Sequence, residues 1–103
     1  MSVSHDYRQI DPLLASRIRL AAMTLLATVE NADFSFLREQ IGASDGNLGA
    51  HMQKLAAAGY VEETKSFIKR KQNTSYTLTS RGRSALDNHL ALIRAMLDPK
   101  GSA

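Results

Sequence analysis

The 103-residue chain contains no cysteine. This excludes disulfides, thiolate metal sites and cysteine-based redox sensing, and it fits a reducing interior. The opening MSVSHDYRQIDP lacks the apolar core of a signal peptide, and no later segment is an uninterrupted apolar run of membrane-spanning length. A soluble, cytoplasmic protein with no membrane partner is expected. There is no phosphate-cradling glycine loop, no paired nucleophile and base and no cluster of ligand side chains, so neither an enzyme nor a bound cofactor is expected. His5, His51 and His89 show no metal-ligand spacing, which gives no support to a zinc site. A chain of this length has room for one domain with an adequate core. It is expected to span 1–103, with an N-terminal arm over 1–10 and a frayed tail over 98–103.

A second absence is local. From Thr64 to Leu86 there is no acidic residue but six basic ones: Lys65, Lys69, Arg70, Lys71, Arg81 and Arg83. The other seven basic residues face all ten acidic ones, so a formal net charge of +3 conceals a positive block on a slightly negative body. Such a block suits a surface that meets phosphate, and it equally suits a solvated basic loop.

The apolar pattern is mostly helical. Asp11 followed by Pro12 marks a helix start, and Leu14, Ile18, Ala21, Leu25 and Val29 recur at spacings of three and four. This predicts a helix to about Thr28, with a break near Ser16. Phe34 is expected in a very short extended piece, after which Ser35 caps a helix to Ile41, with Leu37 and Ile41 inward and Gly42 as its stop. Ser44 caps the next helix, over 45–58, which buries Leu48, Met52 and Leu55 and ends at a left-handed Gly59, with Tyr60 folding back on Leu55. The segments YVEETKSF and SYTL have strand character, and the basic IKRKQNT between them makes a long hairpin. Thr79 caps a last helix whose Leu86, Leu90, Ile93 and Leu97 form a coiled-coil-like seam. Two helices joined by a short glycine-bearing turn make a helix-turn-helix, and the hairpin after them is a wing. The fold class expected is mainly α with a small β-hairpin, α+β.

Three stretches, RIRLAAMTLLA at Arg17–Ala27, SDGNLGAHMQKLAAAGYVE at Ser44–Glu62 and YTLTSRGRSAL at Tyr76–Leu86, resemble the winged helix-turn-helix transcriptional regulators of the MarR and ArsR type. The match is nearest to their small single-domain members, for which the run N-L-x-x-H-x-x-x-L-x-x-x-G-Y-V from Asn47 to Val61 is characteristic. The resemblance implies a homodimer that binds duplex DNA, with the helix from Asp45 in the major groove. It departs from larger members in having no separate effector domain, and no small-molecule effector is assigned.

With Leu48, Met52 and Leu55 inward, the opposite face of that helix carries Gly46, Ala50, Gln53 and Ala57, flanked by Asn47 and Lys54. A glycine costs a helix interior about 1 kcal/mol, and Gly46 here lets the backbone approach a groove wall. Gly49 lies to the side of this face, where close packing on a neighbouring helix is expected. The candidate recognition residues are Ser44, Asp45, Gly46, Asn47, Ala50, His51, Gln53 and Lys54. His51, at the edge of the core face, also suits a plain hydrogen-bonding role at the helix boundary. On the wing the candidates are Lys65, Lys69, Arg70, Lys71, Asn73 and Thr74, near a minor groove or backbone. Leu13, Leu14, Ile18, Leu86, Leu90, Ile93 and Leu97 are the candidate dimer interface of the terminal helices, against the alternative that Leu86, Leu90, Ile93 and Leu97 only cover the chain's own core. A repressor on a palindromic operator is the expected function. The alternative is a winged helix serving as a protein-interaction module.

Overall fold

A computed structural model describes residues 7–98. Most of the expected N-terminal arm, His5 included, and the tail beyond Asp98 lie outside the described residues. The elements, in order, are two short 3-10 turns (Tyr7–Gln9 and Pro12–Leu14), α1 (Arg17–Thr28), β1 (Ala32–Asp33), α2 (Phe34–Ile41), α3 (Asp45–Ala57), β2 (Val61–Ile68), β3 (Lys71–Leu78) and α4 (Ser80–Met96). The three strands form one antiparallel sheet in the order β1-β3-β2. The fold is a winged helix, with α2 and α3 as the helix-turn-helix and β2–β3 as the wing.

Caps set most boundaries. Asp11 Oδ1 accepts from Leu13 N at 2.9 Å, and the break at Ser16 is a new N-cap, its Oγ accepting from Arg19 N at 3.3 Å. In α2 the cap is Asp33, not Ser35: Asp33 Oδ1 accepts from Phe36 N at 2.8 Å, and Phe34 is already helical. The extended piece lies earlier than expected, because Ala32 and Asp33 pair with Tyr76 and Ser75 as a third strand. A carboxylate caps as well as a hydroxyl, and two paired residues are too few to show period-2 alternation.

The core gathers Leu14, Met23, Leu26, Leu37, Leu48, Met52 and Leu55, all essentially inaccessible. In α1 the most enclosed stripe is Ala22, Met23 and Leu26, one residue away from the expected face. Ile18, Ala21, Leu25 and Val29 are half-buried against it. That helix is apolar nearly all round and contacts α2, α3, α4 and β3, so periodicity marks no single buried side.

The wing differs most from expectation. The seven-residue basic stretch Ile68–Thr74 is not a loop: β2 and β3 pair from Val61↔Leu78 out to Ile68↔Lys71, leaving Lys69 and Arg70 as a two-residue turn. Both turn residues have positive φ, 51° and 67°, as a type I′ hairpin turn requires. The usual Asn-Gly signal is absent, and left-handed backbone costs a non-glycine residue roughly 1–2 kcal/mol.

The second helix of the helix-turn-helix, the wing and the last helix meet at one point. Gly59 takes the left-handed conformation (φ 79°), and Tyr60 N donates to Leu55 O at 2.9 Å, closing α3. The Tyr60 carbonyl accepts from Thr79 N at 3.0 Å, while Thr79 Oγ1 donates to Gly59 O at 2.6 Å and accepts from Gly82 N at 2.9 Å. Gly82 is buried against the same carbonyl, and a Cβ there would lie 2.1 Å from Tyr60 O. The nearest atom is backbone, so shifting the Leu78 side chain, 2.9 Å away, would not relieve the clash. Gly82→Ala is therefore expected to destabilise the fold by about 3 kcal/mol, the upper end for overpacking, and to lower Tm by more than about 10 °C. A thermal melt within about 2 °C of wild type would contradict the close approach.

Candidate nucleic-acid interface

Ser44 Oγ accepts from Asn47 N at 3.2 Å and so serves as the cap of α3. Beyond it, Asp45, Gly46, Asn47, Ala50, Gln53, Lys54 and Ala57 are all exposed, a continuous face whose N-terminal half has little side-chain bulk. A Cβ added at Gly46 meets nothing within 4 Å, consistent with an open surface. Gly49 also meets nothing within 4 Å, so the close helix packing expected there is absent. Its side of α3 faces open space.

Two arginines on other helices tune this face. Arg38 of α2 donates to Asp45 Oδ1 at 2.9 Å, an exposed pair that neutralises the one acidic group at the start of α3. The hydrogen bond and the charge of Asp45 raise the pKa of Arg38 further above its ordinary value. Arg19 of α1 donates through Nε to Leu13 O at 2.7 Å and through Nη1 to His51 Nδ1 at 2.7 Å. Guanidinium has only donors, so Nδ1 is the acceptor and the imidazole is held neutral. Burial, then the Arg19 and Lys54 charges, push the His51 pKa below its usual value. Half-buried, His51 is tied to the scaffold, whereas the neighbouring candidates Asn47, Ala50 and Lys54 point to solvent.

On the wing, Lys65, Lys69, Arg70 and Lys71 are exposed, and Asn73 and Thr74 are half-buried within β3. Lys65 Nζ lies 3.8 Å from Glu63 Oε1 in a loose pair. Glu63 also accepts from the Tyr76 hydroxyl at 3.2 Å. Burial and the adjacent carboxylate push the Tyr76 phenol up to about 12, keeping it neutral at the base of the wing.

The candidate dimer residues divide. Leu14 and Leu86 are buried in the chain's own core and have no surface left for a partner, while Leu13, Ile18 and Ile93 are half-buried. Leu90 and Leu97 remain 46% and 76% exposed along α4. Among the described residues no His, Asp and Glu group is placed to hold a metal ion, and no helix is long and apolar enough to cross a membrane.

The family model described as a winged helix DNA-binding domain matches residues 18–97, from α1 through the wing to the end of α4. The chain belongs to that family. An uncharacterized protein of Methanocaldococcus jannaschii is 37% identical over 75 residues, covering 73% of this chain and 82% of that one. A transcriptional regulator homologue from Pyrococcus horikoshii superposes with a TM-score of 0.77 at 27% identity, covering 84% of this chain and 85% of its own. The transcriptional repressor CouR, in a structure bound to a 23-mer DNA duplex, shares the fold at a TM-score of 0.69 and 18% identity. The match covers 85% of this chain and 64% of CouR.

Arg19 and Arg38, which orient and neutralise this winged helix's candidate surface, were missed in the sequence because their partners lie 32 and 7 positions away. No local spacing rule pairs them. The open surroundings of both helical glycines lead to a direct expectation. Gly46→Ala and Gly49→Ala should each raise stability by about 0.5–1 kcal/mol, read as a higher Tm. A destabilised Gly49→Ala would show a close contact that the structure does not contain.

Proposed function

We propose that the chain is a sequence-specific, duplex-DNA-binding transcriptional regulator. It acts in the cytoplasm as a homodimeric repressor, with α3 in the major groove and the wing on the adjacent minor groove or backbone of a palindromic operator. The observation that carries this reading is the surface itself. The exposed face of α3 is small at its N-terminal end, has its one acid neutralised by Arg38, and is flanked by a hairpin bearing Lys65, Lys69, Arg70 and Lys71.

A recognition helix offers its N-terminal residues to base edges. Gly46 and Ala50 allow close approach, the amides of Asn47 and Gln53 have the donor and acceptor pair that suits adenine N6 and N7, and Lys54 suits guanine or phosphate. Ser44 can bond a phosphate while it caps. His51 keeps the helix in place through Arg19 instead of reading a base. On the wing, the four cations meet phosphates, with Asn73 and Thr74 alongside. The DNA-bound repressor CouR, sharing this fold, supports both the partner and the sign of the regulation. Leu90 and Leu97, extended by Ile93, Leu13 and Ile18, form the apolar surface for a two-fold partner, which would set two copies of α3 about 34–36 Å apart.

Replacing Lys69, Arg70 and Lys71 together by alanine is expected to lower affinity for duplex DNA by at least about a hundredfold near physiological salt. The salt dependence should become shallower by up to about three phosphate equivalents. Circular dichroism and sedimentation should show the fold and assembly state unchanged, because the three side chains touch solvent only. Unchanged DNA binding would overturn the proposal in favour of a protein-interaction module.

A further inference from the structure

The wing tip carries two large apolar side chains that the phosphate-binding role does not use. Phe67 is 76% exposed and Ile68 is 56% exposed. They are adjacent at the far end of β2, and the next three residues are Lys69, Arg70 and Lys71. Scattered apolar residues on a surface need no explanation. An aromatic next to an aliphatic, at the point of the hairpin farthest from the core and surrounded by cations, is a different arrangement.

The ribbon holds both residues in fixed register. The ladder continues to Ile68↔Lys71, with Phe67 opposite Gln72, and the turn is only two residues long. Successive strand residues point to opposite faces, which separates the pair. Ile68 lies over a groove that it lines with Phe36, Asn73 and Ser75, so it has an apolar neighbour within its own chain. Phe67 occupies the other face, with Glu63 and Lys65 behind it. That face turns Val61 and Tyr76 into the core at the base of the hairpin. At the tip there is no core beneath it.

We infer that Phe67 is a wedge: with the basic turn on the phosphates, its ring enters the minor groove and unstacks a base step, kinking the duplex under the wing. The inference rests on the DNA-binding reading above and extends it to a residue that carries no charge. Charge complementarity identifies the occupant, because Lys65 on the same face and Lys69 and Arg70 in the adjoining turn make the surroundings of Phe67 a surface for a polyanion. Apolar wedges beside cationic groups are the means by which minor-groove proteins bend DNA. Pyrimidine–purine steps, TA and CA/TG, yield most readily, so the wedge adds a sequence preference at a position without a base-edge hydrogen bond.

The test uses the full chain. Duplexes are first enriched from a randomised pool by the wild-type protein, and one enriched duplex is labelled at both ends to report bending by energy transfer. The wedge predicts a bent wild-type complex and a flexible step under each wing. It predicts that Phe67→Thr, which keeps strand propensity, returns the duplex to its free end-to-end distance and weakens binding roughly tenfold. Phe67→Leu should retain most of the bend, and Ile68→Thr should leave it intact. A straight wild-type complex, or a Phe67→Thr complex as bent as wild type, would overturn the wedge and leave the regulator reading in place. Failure of the wild-type protein to enrich any sequence would overturn both. A changed assembly state in Phe67→Thr, with the bend retained, would assign the ring to a contact between copies and overturn the wedge alone.

Discussion

Tyr60 is the point on which the rest of the structure depends. Its N–H closes the recognition helix on Leu55, its carbonyl takes the N–H of Thr79 at the start of α4, and its hydroxyl donates to the Asp11 carboxylate. That last bond is the main cause of the phenol's raised pKa, followed by burial. Asp11 in turn caps the second 3-10 turn, Pro12–Leu14. One residue therefore connects the N-terminal segment, α3, the first strand of the wing and α4. Gly82 permits the approach, since any side chain there would occupy the space of the carbonyl. With these directions fixed, the angle between α3 and the wing is set before any ligand arrives. Preorganisation of this kind lowers the ordering cost of binding.

Electrostatics on the recognition face follow from that rigidity. Asp45 suits the positive end of the helix dipole, yet an unpaired carboxylate would repel phosphate. Arg38, presented from the preceding helix, cancels the repulsion without covering the surface. His51 is neutral because Arg19 requires its lone pair, and the same guanidinium grips the carbonyl of Leu13. Thus α1 holds the start of the chain and the middle of α3 together, and the exposed half of α3 stays clear of side chains that would obstruct a groove.

Much of this was legible in the residues. The caps at Asp11, Ser44 and Thr79, the break near Ser16, the stop at Gly42 and the left-handed Gly59 are local signals, and they placed the helix-turn-helix and the start of the last helix. Apart from the cap of α2, which is Asp33 and not Ser35, what failed was not local. The third strand is two residues long and exists only because β3 passes beside it. The hairpin turn uses two cations in left-handed backbone instead of Asn-Gly, and Lys71–Thr74 has no apolar alternation, so a paired ribbon reads as a basic loop. The buried stripe of α1 was misjudged by one residue because eight of its twelve residues are apolar and adjacent stripes compete for the core. Gly82 gave no sign of its role, because nothing in TSRGRS reveals that a carbonyl more than twenty residues earlier approaches it. At the candidate site, residue types were legible on α3, while the arginines that orient and neutralise it needed the tertiary fold.

In the proposed reading, α3 and the basic wing form a surface that reads duplex DNA by sequence. Fluorescence anisotropy, with the duplex upstream of the chain's own gene and a scrambled duplex of equal length, tests it most directly when run across a salt series. Tight binding to the native duplex is expected, at least about a thousandfold above the scrambled one near physiological salt, with affinity falling steeply as salt rises. Equal binding to the two duplexes would contradict sequence readout, and no binding to either at low salt would contradict the DNA-binding surface itself.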